Sequence, residues 1–278
     1  MRDLHIDFVR EDNRLNAVPD DRHLDHFRPM SNRISTGPTL RLAYHQVLPA
    51  DATYLYQATC RQLDSHLRYI TSEIERGSEP QITFDDGHAS CFIHALPLLQ
   101  QHARRAIFFV VTSWTGTKRG YMRPTELREL CGLDHEVQSH SLSHAMLTQC
   151  SDEELRAELL DSKQQLEDIL GREVDAISIP YGRWNLRIMQ AIGEAGYRRV
   201  YTSDHQYEVD YRGGIKIFGR IMITRTTSVA HLQRWSQPSP MDIVLAKVQR
   251  VSKHAARFAL GETFYHRLWC WLARFEQD

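Results

Sequence analysis

Several features that would assign the chain to a broad class of proteins are missing from its 278 residues. Its five cysteines are irregularly spaced and form no CxxC pair, which argues against a disulfide framework and a cysteine zinc site. No run of 18 apolar residues occurs, which argues against a membrane-spanning helix. Lys and Arg number 34 against 35 Asp and Glu, so the surplus of cations typical of a nucleic-acid surface is absent.

The N-terminal residues also lack the apolar core of a standard signal peptide, because charged and apolar side chains alternate from Met1 onward. We therefore expect a soluble protein in the cytoplasm. Residues 1–38 are polar and broken by proline and glycine, which predicts an extension ahead of the main domain. Oligomeric state is not encoded in any pattern that we recognise.

From Leu40 onward, short apolar runs alternate with amphipathic stretches. Strands that are separated by helices predict parallel pairing, and about seven strands favour a distorted (β/α) barrel, an α/β fold. We expect this barrel over residues 39–237 and a helical tail over 238–278. The predicted strands are LRLAYH (40–45), QITF (81–84), AIFFVVT (106–112), EVQS (136–139), AISI (176–179), RVYT (199–202) and KIFGRIMI (216–223).

The helices between these strands carry start and stop signals. Ser151 and Glu154 form a capping box, and Gly171 provides a stop for the same helix. Asn185 and Gly196 bracket another helix, and Pro124 suits the first turn of a short one. In the tail, apolar positions on a partly basic helix favour packing over the barrel or capping of its floor, with peripheral membrane contact or partner contact as the alternative.

Two adjacent carboxylates, Asp85 and Asp86, follow a predicted strand in the segment ITFDDGH. Gly87 frees the backbone for a sharp turn, so the two side chains can point in different directions. One carboxylate could bind a cation while the other acts as a base. A simple turn is the alternative interpretation of Asp-Asp-Gly.

Two histidines, His140 and His144, follow another predicted strand in SHSLSH. They share one face if the segment forms a helical turn. Two imidazoles and one carboxylate are typical of a catalytic zinc site with open positions for water and substrate. Two surface histidines are the alternative, which is weakened because the carboxyl ends of parallel strands converge on one face of a barrel.

A third segment, SIPYGRWN, also lies at a strand end. Pro180 and Gly182 shape a turn there, and the amide of Tyr181 is the natural donor for an oxyanion hole, since proline has no N–H.

Taken in order, TFDDG, HSxxH and PYG resemble the motifs of the polysaccharide deacetylase family (carbohydrate esterase family 4), over roughly residues 40–235. The resemblance implies a distorted (β/α) barrel that hydrolyses acetyl groups on sugars. By position, it implies that Asp85 is the general base and that Asp86, His140 and His144 bind the metal. The amide of Tyr181 would help to hold the oxyanion.

The chain departs from the family pattern in two places. Many members have an arginine at the position of Ser178, and we expect Arg220 to substitute for it. The late Leu-x-His motif that usually supplies the acid is also absent, and His231 lies in a helix-like context. His45 is the better candidate acid, because its Tyr-His segment resembles the branch that deacetylates poly-N-acetylglucosamine. A histidine at the rim of the barrel, without a catalytic role, is the alternative.

These features predict a metal-dependent hydrolase that removes acetyl groups, most simply N-acetyl, from a sugar, oligosaccharide or polysaccharide precursor. One divalent ion is expected, zinc by default, although two histidines and one aspartate also accept cobalt, nickel or iron. The alternatives are hydrolysis of a small amide or imide, and glycan binding without catalysis. Trp114, Tyr121 and Trp184 either stack on sugars or pack in the core, and His88 lies close enough to the turn to line the site.

Overall fold

The computed structural model describes residues 39–78 and 80–260. The predicted extension over 1–38 and the last part of the predicted tail, 261–278, lie outside the described residues, so the three predicted segments remain a prediction. The strands are β1 (Arg41–Tyr44), β2 (Gln46–Leu48), β3 (Gln57–Thr59), β4 (Gln81–Phe84), β5 (Ile107–Val110), β6 (Glu136–Ser139), β7 (Ala176–Ser178), β8 (Arg199–Thr202), β9 (Val209–Arg212), β10 (Ile215–Gly219) and β11 (Ile221–Met222).

A curled nine-stranded sheet forms the centre of the fold, in the order β11-β1-β4-β5-β6-β7-β8-β10-β9. Its pairs are parallel except that of β9 with β10, which is antiparallel. The predicted distorted barrel of about seven parallel strands is therefore confirmed. The prediction missed β9, whose residues are half-buried or exposed, and the separate sheet of β2 and β3, which have three residues each.

The last predicted parallel strand is split into β10 and β11, and the split closes the barrel. Gly219 is in register with Thr202 of β8, whereas Ile221 is in register with Leu42 of β1. Arg220 lies between them and donates to the carbonyl of Thr202 from its Nε at 3.3 Å. One short segment therefore contacts both ends of the parallel sheet.

Helices cover the outside of the sheet. They are α1 (Cys60–Glu75), α2 (Leu96–Gln101), α3 (Pro124–Gly132), α4 (Asp152–Leu170), α5 (Leu186–Glu194), α6 (Val229–Ser236) and α7 (Pro240–Leu260). The predicted caps are present: Ser151 and Glu154 form the capping box of α4, and Gly171 ends it in a left-handed conformation with φ 65°. Asn185 accepts from the Ile188 N–H at the start of α5. These caps join residues that are close in the sequence, so the helix ends do not depend on tertiary contacts.

Successive side chains of a strand point to opposite faces of the sheet, so the strands contribute to two separate apolar clusters. Ile82 and Phe84 of β4 belong to the large core between sheet and helices. Phe109 of β5 and Tyr201 of β8 belong to a smaller cluster with Ile107 and Ala176, and Phe218 packs against it. The side chains that follow the smaller cluster toward the carboxyl ends of the strands are polar, and they build the site described below.

Helix α7 continues the chain beyond the predicted barrel. Ala246 is buried, and Arg250 donates to Gln206, whereas Val244, Val248 and Val251 are exposed. Within residues 39–78 and 80–260, no helix combines the length and the hydropathy needed to cross a bilayer.

Gly219 lies where the chain passes from β10 to β11, and a larger residue there should destabilise the protein. A Cβ there would lie 2.3 Å from the Asp204 carbonyl oxygen and 2.4 Å from Gln206 Cβ. We expect Gly219→Ala to lower the free energy of unfolding by about 1–3 kcal/mol, as overpacking does. Urea unfolding followed by circular dichroism measures this change.

Gly132→Ala is the matched control, because a Cβ at this end of α3 meets nothing within 4 Å. It should raise stability by about 0.5–1 kcal/mol through the lower entropy of the unfolded chain. Equal stability of the two variants would contradict the closure that we describe at Gly219.

Candidate metal centre and active site

The turn after β4 separates the two adjacent carboxylates. Asp86 and Gly87 both adopt left-handed conformations, with φ 71° and 76°. Aspartate tolerates this region better than most residues, and at Gly87 a Cβ would lie 3.0 Å from Val110 Cβ. The reversed backbone sends Asp85 and Asp86 to different partners, as the sequence predicted for this turn.

Asp86, His140 and His144 form a three-residue cluster that can hold a metal ion. Asp86 Oδ1 lies 3.4 Å from Nε2 of His140 and 3.4 Å from Nε2 of His144. Two ligands that bind zinc tetrahedrally at about 2.0–2.1 Å are separated by roughly 3.4 Å. Asp86 Oδ1 is buried and makes no hydrogen bond, so a cation would satisfy an otherwise costly oxygen. The donor set fits a divalent metal.

The backbone between the two histidines is not helical, so the helical turn considered for HxxxH is wrong. Ser141 and His144 each adopt φ 64°, and these two left-handed residues turn both rings toward Asp86. Ser139 Oγ accepts from the Ser141 N–H at 3.1 Å, and Ser141 Oγ accepts from the His144 N–H at 3.2 Å. Side-chain hydrogen bonds therefore replace those of a helix.

Glu158 of α4 restrains the histidine loop, the segment from His140 to His144. Its buried carboxylate accepts from the backbone N–H groups of Leu142 and Ser143, both at 3.0 Å, and from the Ser143 hydroxyl. We did not predict this role. The signal was present, because Glu158 occupies a core-facing position of α4 between Leu155 and Leu159, where a charged side chain needs partners.

His140 is fixed in the tautomer that a metal ligand requires. Its Nδ1 lies 2.7 Å from the carbonyl oxygen of Ser178, so Nδ1 donates and Nε2 keeps its lone pair for the side of Asp86. The bond joins the end of β6 to the end of β7.

Asp85 faces Arg220 in a fully buried, two-pronged ion pair. Arg220 donates to both carboxylate oxygens at 2.7 Å, and to Ser178 Oγ, which itself donates to Asp85 at 3.2 Å. Burial alone would raise the pKa of Asp85, but the charges of Arg220 and His140 outweigh it and lower that pKa. The structure thus places Arg220 in direct contact with the proposed base, and Ser178 bonds to both of them.

His45 lies at the end of β1, beside the same site. Its ring packs against Tyr56 with centroids 5.1 Å apart, and its Nδ1 is buried without a hydrogen-bond partner. Burial lowers the pKa of His45, whereas the nearby charges of Asp86 and Asp85 oppose that shift. The structure brings this candidate acid into the field of both carboxylates.

Tyr181 occupies the middle of the predicted PYG turn, which forms a 3₁₀ turn over Pro180–Gly182. Its backbone is left-handed with φ 60°, and its half-exposed ring lies 4.8 Å from the ring of His144. Gly182 makes the turn possible, since a Cβ there would lie 2.6 Å from Ser203 Cβ. The ring of Tyr181 therefore lies directly beside the candidate metal-binding cluster.

The aromatic candidates divide between the site and other places. Trp114 packs 5.5 Å from the ring of His144, and Tyr121 packs edge-on against both Trp114 and His88. His88 lines the turn and bonds to Ser90 through Nδ1. These rings border the cluster and support it.

Two other candidates are engaged elsewhere. Trp184 donates to Asp204 at 3.2 Å and packs against the core. His231 is an exposed residue of α6 whose Nδ1 accepts from the Ser228 N–H in a capping box. His231 therefore has the local structural role that its helix-like context indicated.

Known proteins resemble both the sequence and the fold. The polysaccharide deacetylase profile matches residues 77–200, which carry all three motifs. A Bacillus cereus peptidoglycan-N-acetylglucosamine deacetylase is 30% identical over 145 residues, covering 51% of this chain and 65% of that protein. A Bradyrhizobium chitooligosaccharide deacetylase is 27% identical over 124 residues, covering 44% and 54%. The chain therefore spans about half to two thirds of the length of these two curated relatives.

Two solved structures share the fold. A Streptococcus pyogenes deacetylase, PplD in complex with acetate, superposes with a TM-score of 0.66 at 21% identity, covering 72% of this chain and 99% of that one. IcaB from Ammonifex degensii superposes with a TM-score of 0.60 at 22% identity, covering 73% and 98%. The matching barrel, the matching profile and the three motifs at the strand ends agree: over residues 77–200 the chain is similar to the polysaccharide deacetylase family.

Proposed function

We propose that this protein is a metal-dependent hydrolase that removes acetyl groups, in the first place N-acetyl groups, from a sugar, oligosaccharide or polysaccharide precursor. The observation that carries the proposal is the pairing of two adjacent carboxylates with different partners. Asp86 faces two imidazoles, and Asp85 faces Arg220. Related proteins that are named for peptidoglycan-N-acetylglucosamine and chitooligosaccharide deacetylation support the substrate class.

Asp86, His140 and His144 would hold the metal ion, and zinc is our first choice because three N/O ligands with open positions suit it. When bound, such an ion polarises the acetyl carbonyl and lowers the pKa of the attacking water. Cobalt, nickel or iron would also suit two histidines and one aspartate. The buried bond from His140 to Ser178 orients its ring before any ion arrives.

Asp85 would take the proton from the attacking water. Arg220 takes one lone pair on each carboxylate oxygen and Ser178 takes a second one on Oδ2, so a lone pair remains on Oδ1 for an incoming proton. Its lowered pKa keeps Asp85 ionised but makes it a weak base in the resting protein. The arginine pair therefore favours orientation and permanent ionisation of Asp85 over basicity.

Two further groups would complete the reaction. Tyr181 has a left-handed backbone and its ring lies beside that of His144, so its N–H would be the group that holds the oxygen gaining charge. His45 would protonate the departing amine; burial lowers its pKa, which makes its protonated form a stronger acid, and the charges of Asp86 and Asp85 oppose that shift.

The direct test is acetate release by the zinc-loaded protein from a panel of N-acetylated sugars and chitin oligosaccharides. Ammonia or formate release from small amides, with no acetate from any sugar, would contradict the proposed substrate class. Glycan binding without release of any product would contradict catalysis.

His140→Ala and His144→Ala should each reduce bound zinc from about one ion per chain to near zero after dialysis, since each removes one of three ligands. Elemental analysis measures the loss. His231→Gln is the matched control, because it replaces an exposed histidine and keeps a capping side chain at the third position of α6. Full zinc content in His140→Ala would refute the ligand set.

Asp85→Asn should keep zinc but lower the rate of acetate release by about 10²–10⁴-fold, the contribution of a positioned base. Elemental analysis and acetate assay of one sample separate binding from turnover. Loss of zinc together with activity would overturn the separate roles of Asp85 and Asp86. The variant should also be less stable, because Arg220 loses its buried counter-charge.

His45→Ala should slow release of acetate from N-acetyl sugars by about 10²-fold or more, because an amine must be protonated to leave. Hydrolysis of p-nitrophenyl acetate should change little, since nitrophenolate leaves without an acid. Equal losses on both substrates would contradict the role of His45 as the acid and indicate a structural one. Unchanged activity on both substrates would show that solvent, and not His45, protonates the departing amine.

A further inference from the structure

We propose that Lys118 binds an anionic group, a carboxylate or a phosphate, carried by the substrate close to the acetyl group that is removed. The inference deepens the proposed function and rests on it for the placement of the acetyl group. It assigns a binding role to the loop Thr112–Tyr121, which none of the three motifs contains.

Two aromatic rings hold the ammonium of Lys118 in a defined place. Its Nζ lies 3.4 Å from the ring centroid of Trp114 and 4.6 Å from that of Tyr121. An ammonium over the face of a ring is attracted by the π electrons, and two rings restrict a side chain that is otherwise long and mobile. The charge is therefore positioned beside the rings before substrate arrives.

The same rings connect the ammonium to the metal-binding cluster. The ring of Trp114 lies 5.5 Å from that of His144, and Tyr121 lies 5.5 Å from His88. Backbone bonds fix the loop to the DDG turn, from the Met122 N–H to the Gly87 carbonyl at 3.0 Å and from the Ala89 N–H to the Gly120 carbonyl at 2.8 Å. A single ring thus separates Lys118 from a proposed metal ligand.

The chemistry of this place favours an anion. Lys118 is exposed, and within residues 39–78 and 80–260 no acidic side chain forms an ion pair with it. Ring faces accept no conventional hydrogen bond, so the N–H donors of the ammonium stay available to oxygen atoms. Because Trp114 already contacts both Lys118 and His144, its contribution is to hold these groups, and the stacking on sugar that was considered for it is not required.

Binding to the zinc-loaded protein tests the proposal by calorimetry at low salt. The charged probes are an oligosaccharide of alternating N-acetylglucosamine and glucuronic acid, and N-acetylglucosamine 1-phosphate. Chitin tetrasaccharide and N-acetylglucosamine are their uncharged matches. We expect at least one charged probe to bind on the order of fivefold more tightly than its match, the size of one solvent-exposed charge pair, and the preference to fall in 0.5 M NaCl. The favoured probe identifies carboxylate or phosphate as the source.

Lys118→Met should abolish the preference without weakening the uncharged probes, because it keeps an apolar stem against the rings. Lys118→Arg should retain the preference, and Arg119→Met is the control for loss of a neighbouring exposed charge. Equal affinities of the wild-type protein for charged and uncharged probes, or no binding of either charged probe, would overturn the proposal. An equal loss for all probes in Lys118→Met would show a structural role instead.

Acetate release from the same samples separates this inference from the proposed function. A charge preference without acetate release would contradict the deacetylase activity and leave the anion site standing. Release of acetate with no charge preference would contradict the anion site and leave the deacetylase activity standing.

Discussion

The buried pair of Asp85 and Arg220 is the constraint on which the rest of this structure depends. Both side chains are almost completely shielded from solvent, and they meet through two hydrogen bonds of 2.7 Å. Breaking such a pair from one side costs about 3–5 kcal/mol, because the remaining charge stays buried. Arg220 also occupies the point where the sheet passes from β10 to β11, so the interaction that orients the candidate base also closes the barrel.

Around this pair, the site is assembled from strand ends that are tied to one another by polar contacts. Ser178 contacts Asp85 with its hydroxyl and His140 with its carbonyl, so one residue of β7 touches both the candidate base and a candidate metal ligand. Glu158 restrains the histidine loop from the helix side. A network of this kind keeps ligand positions fixed while charges change, which is the preorganisation that electrostatic catalysis needs.

Much of the architecture could be predicted from local patterns. Strand periodicity and helix caps such as Ser151 with Glu154 are local, and they located the parallel barrel and the ends of α4 and α5. The motifs placed Asp86, His140 and His144 at converging strand ends. The left-handed conformations of Ser141 and His144 could not be predicted, because hydrogen bonds to Ser139 and Glu158 and the turn toward Asp86 arise only in the folded chain. The strands β2 and β3 have only three residues each, the residues of β9 are half-buried or exposed, and the pairing of all three depends on tertiary contact.

The split between β10 and β11 has a consequence for the order of events during synthesis. Asp85, Asp86, His140 and His144 all precede Arg220 in the chain, so a ribosome synthesises all four before the counter-charge of Asp85 emerges. Until Arg220 has been synthesised, Asp85 lacks the partner that offsets its desolvation, and burial of its charge is unfavourable. The strand that is synthesised last therefore supplies the charge that allows Asp85 to be buried in the finished barrel.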